Sequence, residues 1–165
     1  MNAYKYIKEN IRKNLKPKLI EWRRANAIEK IDKPTDIGRA RNLGYKDKKG
    51  FIIARVRLKR GGRKRKKPEK GRKSTKQTLR KTLKMSYRGV AEYRAQKKFT
   101  NLEVLNSYLA GQDGVHYFFE VILVDPERPE IKSDPGISWI CKPKNRKRAL
   151  RGLTSAGKKS RGLRA

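Results

Sequence analysis

Apolar residues recur at helical spacing from the start of the chain: Tyr4, Ile7, Ile11 and Leu15, then, past Pro17, Leu19, Ile20, Ala27 and Ile31. Intervals of three and four place such residues on one side of a helix, and a proline inside the pattern interrupts it. The pattern therefore predicts two helices, the second running toward Ile31. Asp36 is placed to cap a short helix through Arg39 to Leu43, with Gly44 just past its end. The period then drops to two. In FIIARVRLKR, Ile52, Ala54, Val56 and Leu58 share one face and Ile53, Arg55, Arg57 and Lys59 the other, which predicts a strand with one buried and one basic face. Helical spacing returns from Thr78 through Leu79, Leu83, Tyr87, Val90, Ala91 and Ala95, ending near Phe99; this helix is expected to lie across the sheet. A hairpin follows, Leu102 to Leu109 up, Gly111 to Gly114 turning, Val115 to Asp125 returning. The returning strand is apolar on both faces from Phe118 to Val124 apart from Glu120, which predicts a central position. Pro126, Pro129 and Pro135 are expected to end regular structure, and Trp139 with Ile140 to pin the next segment to the core.

These elements predict an α+β fold, a small and mainly antiparallel sheet with packed helices, plus basic extended arms. The expected organisation is one domain over residues 1–165, with N-terminal helices at 1–44, a basic internal extension at 60–78 and a basic C-terminal arm at 142–165. Hydrophobic residues make up 35% of the 165, below the usual ~45–50%, which suffices for one modest core. With 47 Lys and Arg against 15 Asp and Glu, the net charge is +32, so self-repulsion opposes any compact isolated state and a polyanionic partner is implied. The charge is uneven. Residues 55–88 carry 17 basic and 1 acidic residue and residues 135–165 carry 10 and none, whereas residues 99–134 carry 2 and 7. The core is expected in that acidic, apolar segment.

Several chemistries lack their residues. One histidine, His116, and one cysteine, Cys141, cannot supply a four-ligand Cys/His zinc set or an internal disulfide framework. Glu120 and Asp125 fall on opposite strand faces, which disfavours the convergent carboxylates a nuclease requires. Ser107, Thr154 and Ser155 have no histidine base nearby in sequence, and GRKS at Gly71 to Ser74 lacks the spacing of an NTPase phosphate loop. No cofactor or small-molecule substrate is expected. The longest apolar runs fall far short of the ~20 residues of a membrane span, and MNAYKYIKENIRKN lacks the apolar centre of a secretory signal, so the expected location is cytosolic.

Nucleic acid fits the charge. RLKRGGRKRKKPEKGRK, Arg57 to Lys73, holds eleven basic residues and one acidic in seventeen positions. Cations neutralising phosphates release counterions, and arginine can fork onto phosphate or stack on a base. No zinc finger, basic zipper or RNP signature is visible, so folded RNA contacted through phosphates and 2′-hydroxyls is the expected partner. The candidate contacts are Arg55, Arg57 and Lys59 on the strand, then Arg60, Gly61, Gly62, Arg63, Lys64, Arg65, Lys66, Lys67, Arg72 and Lys73. In the C-terminal arm they are Arg146, Lys147, Arg148, Arg151, Lys158, Lys159 and Arg161.

The segments AYKYI (Ala3 to Ile7), RNLGYK (Arg41 to Lys46), VRLKRGGRKR (Val56 to Arg65) and LEVLNSY (Leu102 to Tyr108) occur in order. FFEVILVDP (Phe118 to Pro126), WI (Trp139 to Ile140) and RGLTSAGKKSRGL (Arg151 to Leu163) follow. Together they resemble the archaeal and eukaryotic large-subunit ribosomal protein family number fifteen of the "e" series. The resemblance implies a non-enzymatic component of the large ribosomal subunit whose partners are ribosomal RNA and neighbouring ribosomal proteins. It also implies RNA contacts at Arg60 to Arg65 and Arg151 to Arg161. From other classes, a free-standing polyanion-binding RNA chaperone and a metal-dependent nuclease stay open.

Overall fold

The computed structural model of the protein describes residues 3–64, 70, 80–81 and 83–163, with 63–64 and 80–81 described as backbone. Helix α1 spans Ala3–Lys13 and α2 spans Leu15–Arg24. The break falls at Asn14, three residues before Pro17. A proline obstructs the carbonyl four residues earlier, so Pro17 is tolerated only in the first turn of a new helix, where it sits. The second helix does not continue to Ile31. Residues Ile28–Ile31 form a short strand, β1, that pairs antiparallel with β2, Phe51–Lys59, in the register Ile28↔Val56 to Ile31↔Ile53. Between them lies α3, Ile37–Asn42, capped by the Asp36 carboxylate, which accepts from the Arg39 amide at 2.9 Å. Gly44 follows with φ +97°, as its expected place beyond the helix end requires.

After β2 come two-residue strands β3, Arg63–Lys64, and β4, Arg80–Lys81, which pair with each other as a separate ribbon. Helix α4 begins later than its sequence period predicts, at Tyr87, and runs to Lys98. Ser86 sets the start, its hydroxyl accepting from the Gly89 amide at 3.2 Å. Thr78 and Leu79, read as the helix start, lie outside the described residues. The hairpin is β5, Glu103–Gln112, and β6, His116–Val124, with Gly111 inside the strand rather than in the turn. The main sheet has the order β1-β2-β6-β5 with all pairs antiparallel, so β6 is central as its apolarity predicts.

The sheet is covered on both faces. Ala54, Val56, Leu58, Val104, Phe119, Val121 and Leu123 pack with Ala91 and Ala95 of α4. On the other face, Ile53, Tyr108 and Ile122 meet Ala40 and Tyr45 around α3, and Phe118 meets Leu19 and Trp22 of α2. This second layer corrects the expected basic face of β2: Ile53 is buried and Arg55 is covered. The row Glu29–Arg55–Glu120–Tyr108 crosses all four strands in register. Glu120 is fully buried; it accepts from the Thr35 amide at 2.9 Å, the Thr35 hydroxyl at 2.5 Å, Arg55 at 3.4 Å and the Tyr108 hydroxyl. Burial, then the adjacent Glu120 charge, push the Tyr108 phenol far up, so it stays protonated and donates.

Beyond β6, Pro129 starts a helical turn, α5, Pro129–Lys132, rather than ending structure. Ile140 is buried and does the pinning, while Trp139 is exposed beneath the Arg148 guanidinium, 4.9 Å from its ring centre. The described part of the C-terminal arm is not extended. Ala149 and Ala156 are buried, and helix α6, Ser155–Ser160, packs against α4. Gly152, at φ +67°, and Gly157 lie so close that a Cβ on Gly157 would sit 2.6 Å from the Gly152 Cα, which only glycine permits.

Candidate nucleic-acid interface

Three acidic residues, Glu92, Glu103 and Glu120, are buried, and several others are paired with groups of the same chain. Glu92 accepts from the Ser107 hydroxyl and, at 2.5 Å, from the Thr154 hydroxyl; Glu103 accepts from the Lys147 amide at 2.8 Å. Asp134 holds Lys46 and Lys48, each at 2.6 Å, and these hydrogen bonds keep its carboxyl well below the usual range. The carboxylates weighed for a nuclease do not converge. Glu120 is sealed against Arg55, whereas Asp125 pairs with Arg128 at 3.4 Å and Glu127 with Lys132 at 3.3 Å. Among the described residues no group of three or more His, Cys, Asp or Glu is placed to hold a metal. The hydroxyls of Ser107 and Thr154 are held by Glu92 in structural bonds.

The predicted contacts separate into three groups. Arg55 and Arg148 point inward. Arg55 lies 4.1 Å over the Trp22 ring and pairs with Glu120 and Glu29. Arg148 donates to the Val104 and Leu105 carbonyls, both at 2.9 Å, and its burial lowers the guanidinium pKa. Their charge joins elements of this domain. The half-buried Arg57 donates to the Arg23 carbonyl.

A second group gathers at one end of the sheet. Lys59 and Arg60 are exposed where β2 ends. Arg60 donates to the Asp113 carbonyl at 2.8 Å and lies 4.8 Å over Tyr117, whose ring in turn packs 4.8 Å from Tyr87 at the start of α4. Gly61 follows at φ +85° with open space about its Cα, and Gly62 is exposed, so the backbone leaves the sheet there toward the β3–β4 ribbon. Arg151 and Arg161 line a cleft of about 230 Å³ with Met85, just before α4, and with Gly89 and Tyr93 on that helix. Lys158 and Lys159 are exposed on α6 beside it. The cations at the end of β2 and those of the C-terminal segment, remote in sequence, thus both lie near the start of α4. The side chains of Arg63 and Lys64, and residues Arg65, Lys66, Lys67, Arg72 and Lys73, lie outside the described residues.

The third pair, Arg146 and Lys147, is exposed at the opposite end, beside the start of β5. Sequence reasoning also passed over α1, which buries none of its residues and exposes Lys5, Lys8, Arg12 and Lys13. Its cations gather on the side away from the Tyr4, Ile7 and Ile11 stripe, and that one-sided charge was the available signal. No helix among the described residues is long and apolar enough to cross a membrane.

A known protein is similar to this chain over nearly its whole span. The large ribosomal subunit protein eL15 of Methanocella arvoryzae is 49% identical over 172 aligned residues, which cover 99% of this chain and 88% of that protein. A family profile described as Ribosomal L15 matches residues 2–165, essentially the full length of the interface and core described above. The chain belongs to the Ribosomal L15 family of the "e" series, L15e.

Proposed function

We propose that the protein is a structural constituent of the large ribosomal subunit that binds and stabilises folded ribosomal RNA without catalysing a reaction. The observation that carries this reading, with the family membership, is the gathering of Lys59, Arg60, Arg151, Lys158, Lys159 and Arg161 toward one end of a domain whose buried carboxylates, Glu92, Glu103 and Glu120, are engaged internally. The dense run from Arg63 to Lys73 follows Gly61 and Gly62 in sequence and belongs to the same contact set. Gly61 and Gly62 let the backbone approach phosphates closely. Arg55 and Arg148 brace the protein and are left out of the contact set. Neighbouring ribosomal proteins are the other partners, and the site of action is the cytoplasmic ribosome.

Binding to large-subunit RNA fragments, measured by filter retention across a salt series, tests this. The logarithm of the binding constant should fall linearly with the logarithm of salt, by roughly 0.7–0.9 per phosphate neutralised. The double variant Lys158→Ala, Lys159→Ala should lower that slope by up to about 1.8 and leave the melting temperature in place. A flat salt response would contradict the phosphate mechanism.

A further inference from the structure

Glu103 opens β5 and is only 5% exposed, yet a single carboxylate oxygen is engaged: Oε1 accepts from the Lys147 amide at 2.8 Å, while Oε2 is shielded and has no hydrogen-bond partner. A buried charged oxygen in that condition is destabilising and invites a donor. Glu103 also lines a cleft of about 270 Å³, with Thr100, Asn101, Pro126, Ile140, Arg146 and Lys147. That volume is close to the lower bound of small-ligand pockets, ~300 Å³, and suits one planar ring system with its sugar at the mouth. Glu127 borders the cleft too, but it is exposed and paired with Lys132.

The cleft is therefore lined by a residue with an unpartnered buried acceptor, by the apolar Pro126 and Ile140, and by two exposed cations. A ligand that fits all three has a hydrogen-bond donor on a flat ring and an anion at the other end. We infer that this cleft binds one unstacked RNA nucleotide whose base carries an amino group (cytosine, adenine or guanine), the amine donating to Glu103 Oε2 and the phosphate lying against Arg146 and Lys147. The inference rests on the RNA-binding reading above and adds a base-selective site to it. A metal ion or a lysine from another protein would also satisfy the carboxylate, but each would meet like charge from Arg146 and Lys147. Uracil presents carbonyl oxygens on both sides of its ring N–H, and these would lie against the carboxylate, whereas cytosine places an amine there.

The test uses the full-length protein, titrated with 5′-CMP and 5′-UMP at fixed ionic strength and observed by NMR at the methyl groups of Thr100 and Ile140. CMP should shift these resonances with a dissociation constant at least about ten-fold below that of UMP. Glu103→Gln keeps an acceptor for the Lys147 amide and sets an N–H₂ donor at the second position, so the ratio should collapse or invert toward UMP. Arg146→Ala should weaken both nucleotides alike and leave the ratio unchanged. Equal responses to CMP and UMP, silence at Thr100 and Ile140, or shifts produced there by magnesium chloride or lysine amide in place of nucleotide would overturn the inference. Salt-dependent binding of large-subunit RNA that persists without a CMP preference would remove this site alone; loss of both would remove the RNA-binding reading as well.

Discussion

Thr154→Val isolates the attachment of the C-terminal segment to the domain. Thr154 is 1% exposed and uses one hydroxyl twice, donating to Glu92 at 2.5 Å and accepting from the Gly157 amide at 3.1 Å as the N-cap of α6. Valine keeps the shape and removes both bonds. Loss of an N-cap costs about 1 kcal/mol, and loss of a hydrogen bond to a buried charge about 1.5–3. The two effects share one oxygen, so the expected destabilisation is about 2–4 kcal/mol. Six residues are too few for α6 to persist unaided, so Lys158, Lys159 and Arg161 should lose their fixed positions. Urea unfolding of the full-length protein gives the energy, and amide exchange across residues 155–163 gives the location. Thr154→Ser, which retains the hydroxyl, should stay within about 1 kcal/mol of the parent. RNA affinity of the valine variant should fall with an unchanged salt slope, because the same cations must first be ordered. If Thr154→Val lay within about 0.5 kcal/mol of the parent and α6 amides exchanged no faster, the clamp would not be what holds this segment.

Two further outcomes follow from the paired carboxylates Glu120 and Asp134. Glu120→Leu strips Arg55, Tyr108 and Thr35 of their shared acceptor and should cost about 3–5 kcal/mol in urea unfolding, part of which Arg55→Met should restore in the double variant; simple addition of two losses would contradict the pairing. Asp134, held below the ordinary carboxylate range by its hydrogen bonds from Lys46 and Lys48, contributes stability that is present above its unfolded value, about 3.9, and lost as pH falls through the lowered folded value. Its carboxyl carbon, followed by NMR, should titrate below that value, and Lys46→Ala should raise the midpoint.

The sheet was readable because its strands are long and its centre is doubly apolar. The alternation in β2 and the unbroken run Phe118–Val124 in β6 leave little choice of pairing, and Asp36 marks α3 by a local cap. The four residues of β1 were not readable. Ala27 and Ile31 satisfy a helical interval as well as Ile28–Ile31 satisfies a strand, and only pairing with β2 decides between them. The fate of Arg55 depended on a layer remote in sequence, since Trp22 on α2 covers the face that alternation marks as basic. The C-terminal segment misled for a similar reason. It carries few large apolar residues, and its anchors are small or polar: Ala149, Ala156, and the bonds from Lys147 and Thr154 to carboxylates 44 and 62 residues away. The density of cations was legible throughout, but which of them face outward required the fold.

The central claim is that these outward cations make the protein an integral part of the large subunit rather than a loose polyanion binder. The most direct measurement is its distribution across a high-salt sucrose gradient of cell extract. The account predicts that it sediments with large-subunit particles at one copy per particle. Recovery of the protein at the top of the gradient, stripped from the particles by salt, would contradict it.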